Sequence, residues 1–271
     1  MSAEERIRAQ VILVFPRVAG NVTLRVLPFG LLAVASSLRR AGFSVRILDL
    51  NVESERVLHE TLRETRVLFV GFSVFTGPMI QQVLAISADI RRAHPEIPLV
   101  WGGPHPTIMP DLTARHPLVD IVCRGEGEKT AVRLAEAAAA GKSVASIPGL
   151  TFKKNGAVVS TGPVERIPPR DADAEVSLDL GGIDLAPYIF MNNGKRTAVF
   201  ITSRGCPYRC SFCWNLMFHG RRYIAWSPQK VEAELEPLLA KKIEKVLLFD
   251  SFVGPVSRVH AMGEIFRRHG L

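Results

Sequence analysis

The chain has 271 residues, 47% of them hydrophobic and 22% charged, enough for one large or two ordinary globular domains; this excludes a disordered or fibrous protein. Its four cysteines are too few for a disulfide framework, the N-terminal MSAEERIRAQVILVFPR offers a five-residue apolar run that is too short for a signal-peptide core, and no stretch approaches the roughly 18–20 apolar residues of a membrane span. The net charge of +8 admits a polyanionic partner, but the basic pairs are scattered (Arg39-Arg40, Arg91-Arg92, Lys241-Lys242, Arg267-Arg268) without interleaved aromatics, so the expectation is a solvated surface on a soluble cytoplasmic protein, with nucleic acid not a partner.

From Gln10 to Gly141 the hydrophobic period alternates between that of buried strands and that of amphipathic helices. VILVF (11–15), VRILDL (45–50), VLFVGFS (67–73), PLVWGG (98–103) and DIVCRG (120–125) read as parallel strands. Helices are expected over 30–41, 54–65, 78–94, 107–115 and 128–140. Five strands with crossovers make an α/β domain over residues 1–148, a doubly wound parallel sheet in flavodoxin-like order. A ligand binds such a sheet outside the carboxyl ends of its strands, where the order reverses. The loops there are 16–30, SVFTGP with Ser73, Phe75 and Thr76, GGPHPT with Gly102, Gly103 and His105, and RGEGEKT with Gly125 and Glu126. Taken singly each glycine is a turn residue.

Ser73-Val74-Phe75 is followed, after 26 intervening residues, by Gly102-Gly103, and this resembles the serine and paired-glycine elements of the cobalamin-binding domain family. The resemblance implies a slot for the cofactor's nucleotide tail between the third and fourth strand ends, and it makes Ser73, Phe75, Thr76, Gly102, Gly103, His105, Gly125 and Glu126 candidate cobalamin contacts. That family's classical Asp-x-His-x-x-Gly element is replaced here by VLPFGL (26–31), so no histidine ligand to cobalt is expected from that position. His105 stands nearest the ligand edge, either as a metal ligand or as a loop histidine capping a backbone group.

After Gly149 the composition changes. GLTFKKNGAVVSTGP (149–163) reads as a hairpin turning at Asn155-Gly156 and leads into a proline-, acid- and glycine-rich ordered linker, together spanning 149–195. Residues 196–271 then show strand AVFITS (198–203), helix 227–242 with Pro228 in its first turn, strand KVLLFDSFVG (245–254) and helix 257–269.

Between these lies CPYRCSFC, holding Cys206, Cys210 and Cys213. Clustered thiols in a reducing compartment serve structural zinc, a redox pair or iron–sulfur. Zinc wants four ligands, for which His219 is a conceivable fourth; a four-iron cluster on three thiolates leaves one iron open for catalysis. Cys123, inside the fifth strand, reads as a small buried hydrophobe. The stretch closely resembles the Cys-x3-Cys-x-aromatic-Cys signature of radical SAM enzymes. That implies that Cys206, Cys210 and Cys213 ligate a [4Fe–4S] cluster which chelates S-adenosyl-L-methionine, with Phe212 beside the adenine and Asp250 either on a loop approaching the same molecule or capping the following helix.

Together the two resemblances are those of the cobalamin-dependent radical SAM enzymes, with family-like phrases at 28–51, 102–107 and 124–128. They imply methyl transfer to an unactivated carbon of a small or natural-product-like molecule, driven by a 5′-deoxyadenosyl radical, with an electron donor such as flavodoxin or ferredoxin and no assigned catalytic residue. A radical SAM cyclase, another non-methylating rearrangement enzyme and a non-catalytic cobalamin-binding module with a remnant radical SAM segment stay open. A tRNA methylthiotransferase would need further N-terminal cysteines than Cys123 supplies. Residues 196–271 supply two βα units, so an incomplete barrel is expected, either the N-terminal portion of a longer enzyme or a truncated gene product.

Overall fold

The structure, a computed structural model, describes residues 9–18 and 25–271. Part of the loop expected at 16–30, residues 19–24, lies outside the described residues, as do residues 1–8 of the N-terminal stretch. The chain divides into two compact units, one containing 30–166 with the first strand and the other containing 167–271 with 25–29.

In the first unit β1 (Ala9–Phe15), β2 (Ser44–Asp49), β3 (Arg66–Ser73), β4 (Leu99–Gly102) and β5 (Ile121–Cys123) are parallel neighbours in the order β2-β1-β3-β4-β5. This is the doubly wound, flavodoxin-like order. Helices α1 (Phe29–Arg40), α2 (Glu55–Glu64), α3 (Met79–Ala93) and α6 (Glu128–Ala140) are the crossovers. The strands read as near-continuous apolar runs because Ile12, Val14, Val70, Phe72, Leu99, Trp101 and Val122 are buried among Leu58, Leu62, Val83, Ile86 and Ile90.

One expected helix is two. The stretch 107–115 instead belongs to α4 (Pro104–Ile108) and α5 (Pro110–Arg115). Pro110 has no N–H to continue the first helix, and Met109 before it leaves the helical region at φ −123°, ψ 56°. The hairpin β6 (Leu150–Lys154) and β7 (Ala157–Ser160) turns at Asn155 and Gly156, φ 51° and 79°, and extends the sheet antiparallel from β5.

The second unit holds a three-stranded sheet in the order β12-β9-β8, in which β9 (Lys195–Phe200) pairs parallel with β12 (Lys245–Leu248) and antiparallel with β8 (Ile189–Asn192). The sequence reading places 189–192 in a linker; a second Asn-Gly turn, Asn193 and Gly194 at φ 52° and 75°, makes it a strand. β10 (Ser203–Gly205) and β11 (Tyr223–Ala225) form a separate antiparallel pair. The short helix α7 (Ala172–Glu175) precedes β8 in the chain; between β10 and β11 lie the cysteines and α8 (Trp214–His219), and α9 (Pro228–Leu239) and α10 (Val256–Arg268) follow. Pro228 is the first residue of α9, and Ser227 caps it by accepting the Lys230 N–H at 3.2 Å. Among the described residues no helix is long and apolar enough to cross a membrane.

Candidate functional sites at two loop systems

Three consecutive loops meet at the carboxyl ends of β3, β4 and β5. Val74 N–H donates to Gly102 C=O at 2.8 Å and His105 N–H to Val74 C=O at 3.0 Å, so the first two loops are laced backbone to backbone. Gly103 lies at φ 91°, ψ −169°, a region essentially restricted to glycine, and a Cβ there would sit 2.8 Å from Val74 N and 3.1 Å from Ser73 Oγ. At Gly102 a Cβ would meet nothing closer than Cys123 C=O at 3.6 Å. Thr76 Oγ1 and His105 Nδ1 are 3.1 Å apart, and burial lowers the His105 pKa, favouring the neutral imidazole.

The third loop joins through a side chain. Thr107 Oγ1 donates to Gly103 C=O at 2.8 Å and accepts the Gly125 N–H at 2.8 Å. On its other side the Arg124 guanidinium donates to Leu150, Thr161 and Gly162 carbonyls at 3.2, 2.7 and 2.9 Å. Gly125 at φ 66° packs on Val164, and Glu126 is buried. Thus Ser73, Thr76, Gly102, Gly103, His105 and Gly125 lie within one bonded frame, to which Thr107, the last residue of the 102–107 phrase, also belongs although the sequence assigned it no role. The same loops expose Phe75 and Met109. Apolar surface with a few converging hydroxyl and imidazole groups fits a large amphipathic organic cofactor such as cobalamin. Cys123 is buried on β5, its thiol pushed up to about 12 by desolvation, with Glu128 adding to the shift; it is a packing residue with no thiolate character.

In the second unit the cysteine loop is built on a stem. Asp250, just past β12, accepts at Oδ1 from Thr202 N–H (2.9 Å), Ser203 N–H (2.6 Å) and Ser203 Oγ (2.7 Å), and at Oδ2 from Thr202 Oγ1 (3.1 Å). Arg258 on α10 holds the other side, donating to Thr202 C=O at 2.8 Å, Trp226 C=O at 2.6 Å and Val253 C=O at 3.2 Å. Tyr223 OH adds a bond to Val253 C=O at 2.9 Å. Gly205, φ 73°, precedes Cys206; any Cβ there would land on the Arg222 carbonyl oxygen. Asp250 and Arg258 lie on the far side of α9 from the cysteines along the chain, and Arg258 carries no motif that would single it out.

Beyond the stem, Cys206 and Cys213 are half-buried, Cys210 is exposed, and a turn from Cys213 N–H to Cys210 C=O closes the loop at 3.0 Å. Phe212 is 90% exposed and Tyr208 61%. His219 is buried against Phe218 and Trp214, with ring centroids 4.7 and 6.4 Å away. Among the described residues no three His, Cys, Asp or Glu side chains are already gathered for a metal. The donor set, three thiols on one short accessible loop, has the chemistry of an iron–sulfur or zinc ligand group.

The B12 binding domain family model matches residues 17–135. The hopanoid C-3 methylase of Methylococcus capsulatus is 31% identical over 263 residues, 94% of this chain and 48% of that protein. The anaerobic magnesium-protoporphyrin IX monomethyl ester cyclase of Synechocystis sp. is 30% identical over 202 residues, 72% of this chain and 39% of that protein. The radical S-adenosylmethionine methyltransferase TsrM of Kitasatospora setae, solved with cobalamin and a [4Fe–4S] cluster, superposes with a TM-score of 0.75 at 25% identity over 97% of this chain and 50% of that one. The chain therefore spans about half the length, or less, of these relatives.

Proposed function

This chain belongs to the cobalamin-dependent radical SAM enzyme family, and from that premise we propose that it takes part in methyl transfer to an unactivated carbon of a small organic molecule. The observation that carries the reading is the coexistence on one chain of a three-thiol loop on a rigid stem and a laced, partly apolar sheet edge. When bound, a four-iron cluster supplies one-electron cleavage of S-adenosyl-L-methionine and cobalamin supplies a transferable methyl group.

Cys206, Cys210 and Cys213 would hold the cluster as thiolates, and the Asp250 and Arg258 bonds fix where the first of them leaves the stem. Phe212 offers its exposed ring to the adenine of S-adenosyl-L-methionine. Asp250 keeps lone-pair capacity toward that molecule beyond its bonds to Thr202 and Ser203. On the first unit a Cβ at Gly102 would make only ordinary contacts, at 3.6 Å or more, and Gly102, Gly103, Ser73, Phe75, Thr76, His105, Gly125 and Glu126 are the proposed cobalamin contacts. A soluble one-electron donor of the flavodoxin or ferredoxin type completes the cycle. The relationship to a cyclase supports a second reading, ring formation without methylation.

Iron analysis after anaerobic reconstitution tests the proposal. About four irons per chain are expected, lost on replacing Cys206, Cys210 or Cys213 with alanine; one zinc and no iron would overturn it. Product mass separates the two reactions, since methylation alone adds CH2.

A further inference from the structure

We propose that Thr107 is the positioning residue that sets the third loop of the cobalamin edge, an inference that rests on reading this edge as a cobalamin site. β4 and β5 pair at Val100 with Ile121 and at Trp101 with Val122, and there the ladder stops. Beyond it the chains diverge into Gly102-Gly103 on one side and Arg124-Gly125-Glu126 on the other. One hydroxyl ties them together: Thr107 Oγ1 gives its proton to Gly103 C=O and takes the Gly125 N–H, each at 2.8 Å. A hydroxyl has one proton and two lone pairs, so it fills both roles at once.

The asymmetry of the frame makes this tie informative. The loops after β3 and β4 are joined by backbone bonds that any sequence able to adopt the conformation would keep. The loop after β5 is held from outside by Arg124, bonded to the hairpin carbonyls, and from inside by Thr107. Gly125 is buried, so without the Thr107 hydroxyl its N–H has no acceptor there and the inner tie is gone while the outer one stays. The fold survives, and the cost falls on binding. A loop no longer held in place must be ordered when cobalamin arrives, and that ordering subtracts from affinity.

The test is a spectroscopic titration of the full chain with hydroxocobalamin, at a temperature well below the melting midpoint, for wild type, Thr107→Val and Thr107→Ser. Valine keeps the shape and removes donor and acceptor; serine keeps the hydroxyl. About a tenfold or greater rise in Kd is expected for valine, and a change under about threefold for serine. Valine binding as tightly as wild type, or serine as weakly as valine, overturns the assignment of Thr107. A wild-type chain that takes up no cobalamin overturns the reading of the edge instead. Should the valine variant not fold, amide exchange in wild type decides: a protected Gly125 N–H supports the tie, and exchange at the free-peptide rate overturns it.

Discussion

The frame at the ends of β3, β4 and β5 and the loop from Cys206 to Cys213 are held in opposite ways. The frame is bonded throughout, by Val74, His105 and Thr107, down to the glycine between them. The cysteine loop is fixed at its base, where Asp250 and Arg258 grip Thr202 and Ser203, whereas Cys210 and Phe212 are exposed, Tyr208 keeps an edge contact with Phe252, and one turn closes the loop. A slot for an organic cofactor gains affinity from being preformed. A thiolate site converges only when metal and deprotonated sulfur meet, so its ordering and its loading are one event.

The stem is most vulnerable at Gly205. Alanine there meets the Arg222 carbonyl and adopts φ 73°, so the β10–β11 pair must open. We expect a loss of at least about 3 kcal/mol in the second unit and little iron uptake on reconstitution; normal iron content would show that the stem does not govern the loop. The frame's counterpart is Gly103→Ala, costing about 2–3 kcal/mol by thermal or urea unfolding. Gly102→Ala, with contacts no closer than 3.6 Å, should stay within about 1 kcal/mol of wild type. A bulky residue at Gly102 should nevertheless block cobalamin. If both glycines respond alike to alanine, the distinction between backbone crowding and ligand space is lost.

Asp250 latches the same stem through side-chain bonds whose loss costs less. Asp250→Ala strands the N–H groups of the buried Thr202 and Ser203, and about 2 kcal/mol should go. Asp250→Asn keeps a carbonyl for the Ser203 N–H and should lose about half as much. Measured beside iron content, the pair tells whether holding the stem and loading the loop are coupled; equal stability of the two variants would refute the latch.

How much of this was legible in the sequence follows from the range of each interaction. Strand order, the Asn155-Gly156 turn and the cysteine triad are written locally, as period, turn chemistry and spacing. The Asn193-Gly194 turn was equally local, but the short β8 before it, with exposed Met191, lacks the apolar run that marks a strand. Asp250's bonds to Thr202 and Ser203 and Arg258's bond to Thr202 join residues 47 to 56 apart. Thr107 reaches Gly125 across 18 positions. No periodicity encodes such pairs; they exist only once the sheets have formed.

The smallest effect belongs to His105, and its sign is set by burial. Desolvation holds the folded imidazole below its ordinary value of 6.5, so on acidification the unfolded chain binds this proton first. Stability from this group is therefore complete above 6.5, falls as pH drops through that value, and levels off below the depressed folded pKa. The slope for one proton cannot exceed about 1.4 kcal/mol per pH unit. Urea midpoints of wild type and His105→Gln between pH 7.5 and 5 (about the range in which histidine titrates) should draw together at the alkaline end and diverge toward acid, wild type losing more. Bound cobalamin that covers the ring would deepen the desolvation and move the wild-type fall to lower pH. Parallel curves for the two proteins would mean that His105 keeps its ordinary pKa in the folded chain, and that its 3.1 Å contact with Thr76 offsets its burial.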